Sequence, residues 1–220
     1  MPPPGCLGAA SRRPPAARRP AHRHEHRTRT TRRSRRTVTL PRGFKANAER
    51  EALRLRRELN LGDTDALNVD DLAHHLKVKI VSAEKLVSRT RLEELERVQA
   101  YAFSAATFQV SGRNIVVTNP LRTPGRRASD VAHELSHLVL KHDLTEIREV
   151  NGMPFRTCRP DEEEQATAFG GTLMLPRPLL LSAVRRQWGP AQIAEHYGVT
   201  EEMARYRYNT TGVAKQVRNR

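Results

Sequence analysis

Two histidines and a glutamate in the run His133-Glu134-Leu135-Ser136-His137 have the residue types and spacing that metal-assisted hydrolysis needs. Histidines four apart on a helix lie one turn apart on one face, where two imidazole nitrogens can reach a single divalent cation. With His133 as zero and about 100° per residue, His137 falls near 40°, whereas Val131, Leu135 and Leu138 cluster at about 140–200°. The apolar stripe can therefore enter a core while both imidazoles face a cleft. Glu134 falls at about 100°, beside the pair, where its carboxylate is better placed to take a proton from an attacking water than to bind the cation. Zinc, one ion per chain, suits such a donor set once a third protein ligand is supplied.

Three places could supply it. Asp143 stands where a third ligand follows in one class of such sites, but Leu140 occupies the position whose turn needs glycine-like freedom. His142 would lie about 180° from His133 on a continued helix, facing away from the metal. The run Asp161-Glu162-Glu163-Glu164-Gln165-Ala166-Thr167 offers glutamates at the start of a second helix, where acidic residues also suit the macrodipole. Phase favours Glu163: Ala166 and Gly170, three and seven residues on, are small, so that face can lie close against the first helix. Glu164 is held in reserve with Asp143. Thr167, one turn after Glu163, could hydrogen-bond a ligand histidine.

These residues need helices and a small sheet to position them. Ala48, Ala52, Leu55 and Leu59 recur at helical spacing before Gly62, and a second helix is expected from Val69 to Leu76. Val78 to Val81 alternates as a strand. Gln99 to Phe103, Thr107 to Ser111 and Ile115 to Thr118 are short β-branched or aromatic runs, the last two joined by the hairpin turn Ser111-Gly112-Arg113-Asn114. The edge of Ile115 to Thr118 could hold an extended substrate. The metal-bearing helix covers Ala128 to Leu140. A polar stretch containing Asn151-Gly152 and Cys158 leads to a helix from Asp161 to Leu175, ended by Pro176 and Pro178.

The net charge of +15 suggests nucleic acid until it is located along the chain. Residues 1–36 hold eleven arginines against the single acid Glu25, which leaves +5 for everything after them. That Arg/Pro-rich segment lacks large apolar residues and is expected to be a disordered basic tail, able to cling to nucleic acid by counterion release. No apolar stretch approaches the roughly 18 residues of a membrane span, so a soluble protein without a membrane partner is expected. Cys6 and Cys158 are too few for a disulfide framework, which fits a reducing cytoplasm. Gln192 to Ala204, with Gly198-Val199 at its centre, has the pattern of a helix-turn-helix, and Arg205 and Arg207 beside it are candidate nucleic-acid contacts.

The sequence resembles the ImmA/IrrE family of zinc metallopeptidases over most of residues 48–211. The resemblance rests on Ala128-Ser129-Asp130-Val131-Ala132 leading into His133 to His137, and on Glu163-Glu164-Gln165-Ala166-Thr167-Ala168-Phe169 closing in Leu173-Met174-Leu175-Pro176. Thr167 stands where the family usually has Asn and Gly170 where it has Ala. The resemblance implies an α+β, zincin-like fold, mostly helical with a small, mainly antiparallel sheet. It also implies zinc ligands His133, His137 and Glu163, with Glu134 catalytic. The expected organisation is a tail at 1–36, a metallopeptidase domain at 44–186 and a C-terminal helical segment at 187–215. The expected function is a regulatory zinc endopeptidase that cuts a protein substrate, often a transcriptional repressor, at few sites. Its rivals are a DNA-binding regulator acting through the C-terminal segment and a peptidase fold kept as a sensing or binding module.

Overall fold

The computed structural model describes residues 40–142, 147–150, 153–156 and 159–218. The basic tail at 1–36, Asp143, the Asn151-Gly152 pair and Cys158 lie outside the described residues. Helices α1 (Phe44–Glu58) and α2 (Val69–His75) come first, followed by strand β1 (Lys79–Ser82) and helix α3 (Arg89–Val98). Strands β2 (Ala105–Val110) and β3 (Arg113–Thr118) lead into α4 (Pro124–Val139). Strands β4 (Ile147–Val150) and β5 (Met153–Arg156) precede α5 (Pro160–Met174). Helices α6 (Arg177–Arg185), α7 (Pro190–Tyr197), α8 (Glu201–Thr210) and α9 (Val213–Arg218) complete the chain. The fold is mostly helical, with a small mixed sheet.

In that sheet β3 is central. It pairs antiparallel with β2, Ala105 opposite Thr118 and Val110 opposite Arg113, and parallel with β1, Lys79 beside Ile115. Ser111 and Gly112 both take positive φ, 50° and 74°, the twist that a two-residue hairpin turn needs. Because β3 is paired on both sides, Ile115 to Thr118 has no open edge; among the described residues β1 and β2 are the outer strands of this sheet. A separate ribbon pairs β4 with β5 antiparallel.

The strand expected at Gln99 to Phe103 is instead the turn that follows α3. That helix buries one large apolar residue, Leu92, among charged ones, so its periodicity is faint in the sequence. The turn is fixed by Arg122, which forms a bidentate pair with Glu96 at 2.8 and 2.9 Å and donates to the Phe103 carbonyl at 2.8 Å. Its guanidinium also lies 4.7 Å from the centre of the Tyr101 ring. Helix α1 stops short of Gly62 because Asn60 turns left-handed at φ 57°.

The main core runs through every helix but α3, whose Leu92 joins Ala83 and Val117 in a smaller cluster. Ala52 and Leu55 of α1, Leu72 of α2, Val116 of β3, Val131 and Leu135 of α4, and Phe169 and Leu173 of α5 are buried in it, together with Leu180, Ile193, Tyr197, Ala204 and Val213 further on. The segment after residue 186 therefore contributes to the same core as the helices before it. Helices α4 and α5 meet most closely at Gly170, where an added Cβ would lie 3.2 Å from the Ala132 carbonyl group and from the His133 nitrogen. Gly170→Leu is expected to force the two helices apart at a cost of about 1–3 kcal/mol, read as a lower denaturation midpoint. An unchanged midpoint would show that this approach can relax freely.

Candidate metal centre

Helix α4 is built to carry a site. Thr123 caps it by accepting a hydrogen bond from the Arg126 N–H, Pro124 opens its first turn, and Val131, Ala132 and Leu135 bury its apolar side. The opposite side carries His133 and His137, whose Nε2 atoms stand 3.1 Å apart. Helix α5 brings Glu163 to them, with Oε2 3.2 Å from His133 Nε2 and Oε1 3.6 Å from His137 Nε2. A tetrahedral metal with bonds of about 2.0–2.1 Å needs ligand atoms about 3.3 Å apart, and these spacings bracket that value. The donor set fits a divalent metal ion: two imidazole nitrogens and a carboxylate converge on one point, and they form the group of this kind among the described residues.

Glu164 is exposed and lies outside this group. Glu162 is buried at the start of α5, where it accepts from the Arg159 backbone N–H at 3.3 Å and pairs with the Arg159 guanidinium at 2.7 Å. The three consecutive glutamates thus separate into a cap, a candidate ligand and a solvated residue. Thr167 Oγ1 sits 3.5 Å from His133 Nδ1, on the side of the ring away from the metal position. His142 lies against His137, with 3.0 Å between their Nδ1 atoms. A helical wheel continued past Val139 places it on the far side of α4.

Glu134 lies beside the group, and Thr107 of β2 donates to its Oε2 at 2.6 Å. Burial pushes the Glu134 carboxyl up, against the lowering influence of the Thr107 hydroxyl. Burial, followed by the neighbouring His133, pulls His137 down to about 4. A neutral imidazole, the form that binds a metal, is therefore the resting state of His137 at neutral pH. For His133 burial lowers the value, but Glu163, Glu134 and Asp130 together outweigh it, and the net shift is upward. A bound cation would take the place of the proton that these carboxylates favour.

A cavity of about 450 Å³ opens from His133 and Glu134 along α4, walled by Ala105 of β2, Gly170 of α5 and Met203 and Tyr206 of α8. Helix α8, expected as the reading helix of a helix-turn-helix, thus turns one side toward the metal centre. Its exposed start carries Glu201 and Glu202, whose charge opposes a phosphate backbone. Arg205 is exposed and paired with Glu201. Arg207 is buried, its Nε donating to the Leu175 carbonyl at 3.0 Å and its Nη2 engaging Glu49. It presents no open guanidinium face to nucleic acid, so its expected role as a contact gives way to a role in packing. Among the described residues no helix is long and apolar enough to cross a membrane.

A family model described as Peptidase_M78, IrrE N-terminal-like domain, matches residues 83–209. Among solved structures, one titled a Mycobacterium tuberculosis transcriptional regulator is similar at 16% identity and a TM-score of 0.44, over 75% of this chain and 46% of that one. The chain thus spans about half the length of that protein. No curated protein matches it.

Proposed function

Because the chain belongs to the Peptidase_M78 family of IrrE N-terminal-like domains, we propose that it is a cytoplasmic, zinc-dependent endopeptidase that regulates by cutting a protein substrate, a transcriptional repressor foremost, at few sites. The observation that carries the proposal is the convergence of His133, His137 and Glu163 with the Glu134 carboxylate beside them. Zinc, when bound, supplies a water acidified toward neutrality and polarises a peptide carbonyl.

The chain's own residues do the rest. Glu134, held by Thr107, is the general base that takes the proton from the attacking water and returns it to the leaving amine. Its raised affinity for protons suits both halves of that task. β2, an outer strand of the sheet, offers backbone groups to an extended substrate, and Thr107 on that strand, which holds Glu134, couples the substrate's position to the base. The adjoining cavity receives a substrate side chain, with α8 as its outer wall.

Metal analysis of the purified chain tests this reading. About one zinc per chain is expected in the unaltered protein, and none in the His133→Ala, His137→Ala double variant, because one carboxylate cannot hold the ion alone. Equal, negligible zinc in both would sink the assignment.

A further inference from the structure

Helix α4 ends in a way its sequence does not announce. Val139 is the last helical residue, Leu140 follows in a right-handed conformation, and Lys141 turns left-handed with φ 56°. Two backbone bonds close the turn: Lys141 N–H donates to the Leu138 carbonyl at 3.2 Å and His142 N–H to the His137 carbonyl at 3.0 Å. This is a Schellman closure, and it reverses the chain so that the residue after the left-handed position returns to the last turn of the helix. The result is that His142 meets His137 twice. Its backbone holds the His137 carbonyl, and its ring stands edge-on to the His137 ring, with centroids 5.0 Å apart and planes at 72°.

The ring contact carries chemical information. Two imidazole nitrogens 3.0 Å apart share one proton, so one Nδ1 donates and the other accepts. If His137 is to offer Nε2 to a metal as a neutral imidazole, its proton must sit on Nδ1, and His142 Nδ1 must then be the acceptor. His137 is only 3% exposed, so protein groups govern its orientation. Thr167 approaches the corresponding nitrogen of His133, but at the longer distance of 3.5 Å.

We propose that His142 is a positioning residue of the metal centre: it accepts the Nδ1 proton of His137, and so fixes the tautomer and ring plane that aim Nε2 at the metal. The left-handed turn at Lys141 delivers it there. This inference rests on the reading of His133, His137 and Glu163 as metal ligands and adds to them a residue that never touches the ion.

The test compares the full chain with His142→Phe, which keeps a flat ring without an acceptor, and His142→Asn, whose Oδ1 occupies the place of Nδ1. Zinc affinity is measured by competition with a chromophoric chelator, the ligand field by the absorption of Co²⁺ loaded into the same proteins, and the stability of the metal-free chains by denaturation. His142→Phe is expected to bind zinc about 10- to 100-fold more weakly with an altered cobalt spectrum, and His142→Asn to recover most of both. Affinity and spectrum unchanged in His142→Phe would overturn the proposal. So would equal weakening in both variants that tracks a loss of metal-free stability, which would reduce His142 to a helix cap. If the unaltered chain binds neither ion, the metal reading itself fails and the inference falls with it; a tight site indifferent to His142 refutes the inference alone.

Discussion

Glu134→Gln is expected to lower substrate cleavage on the order of 10³-fold, the scale on which a positioned general base acts, while leaving the metal content of the chain unchanged. Gln has the same length, and its amide oxygen can still accept the hydrogen bond from Thr107 that now reaches Glu134 Oε2 at 2.6 Å. What it lacks is a site for the proton of the attacking water. The loss should therefore appear in the chemical step and leave substrate capture at the β2 edge intact. The measurement compares protein fragments that accumulate in cells carrying the unaltered chain or the variant, followed by cleavage of the identified substrate with purified protein. Undiminished cutting by Glu134→Gln would remove Glu134 from the mechanism, and full biological activity without cutting would support a sensing module.

What could be read from the sequence is what depends on helix period. His133, His137 and the opposed stripe of Val131, Leu135 and Leu138 share one helix, and their relative directions follow from about 100° per residue. Glu163 was reachable because small residues at Ala166 and Gly170 mark the face of α5 that meets α4, and the structure places Gly170 against the Ala132 backbone. Thr107 was not reachable, since its contact with Glu134 depends on how the sheet edge docks on α4 and no local pattern encodes that. The wheel misplaces His142 for a definite reason: it assumes a helix that continues, whereas Lys141 reverses the chain with a non-glycine residue in the left-handed region. The parallel pairing of β1 with β3 is likewise a long-range choice, and it places Ile115 to Thr118 in the middle of the sheet with β1 and β2 as its outer strands. Arg207 looked like a nucleic-acid contact because a buried arginine and an exposed one read alike until the partner is known.

That partner makes the second large effect. Glu49 of α1 accepts from the Arg177 backbone N–H at 3.0 Å through one oxygen and from Arg207 through the other, so it ties α1 to the start of α6 and to α8. The Arg207 side chain is 8% exposed, and Glu49 22%. Glu49→Ala leaves a buried guanidinium with its Leu175 acceptor but no counter-charge, and losing one member of a buried pair costs about 3–5 kcal/mol. The partial exposure of Glu49 lets water reach part of the gap, which places the expected loss near the lower bound, about 3 kcal/mol. Chemical denaturation of the metal-free chain reads this directly. A Glu49→Met, Arg207→Met chain should lose less than Glu49→Ala alone, because no uncompensated charge remains in the interior. The consequence reaches the metal centre through α8, since the Arg207 side chain fills the space where a Cβ on Gly171 of α5 would stand, and Met203, one turn earlier, lines the cavity beside His133. Loosening α8 should thus weaken capture of a substrate side chain before it disturbs His133 and His137, which α4 holds independently. Loss of zinc in Glu49→Ala at a denaturant concentration where the chain is still folded would contradict that order.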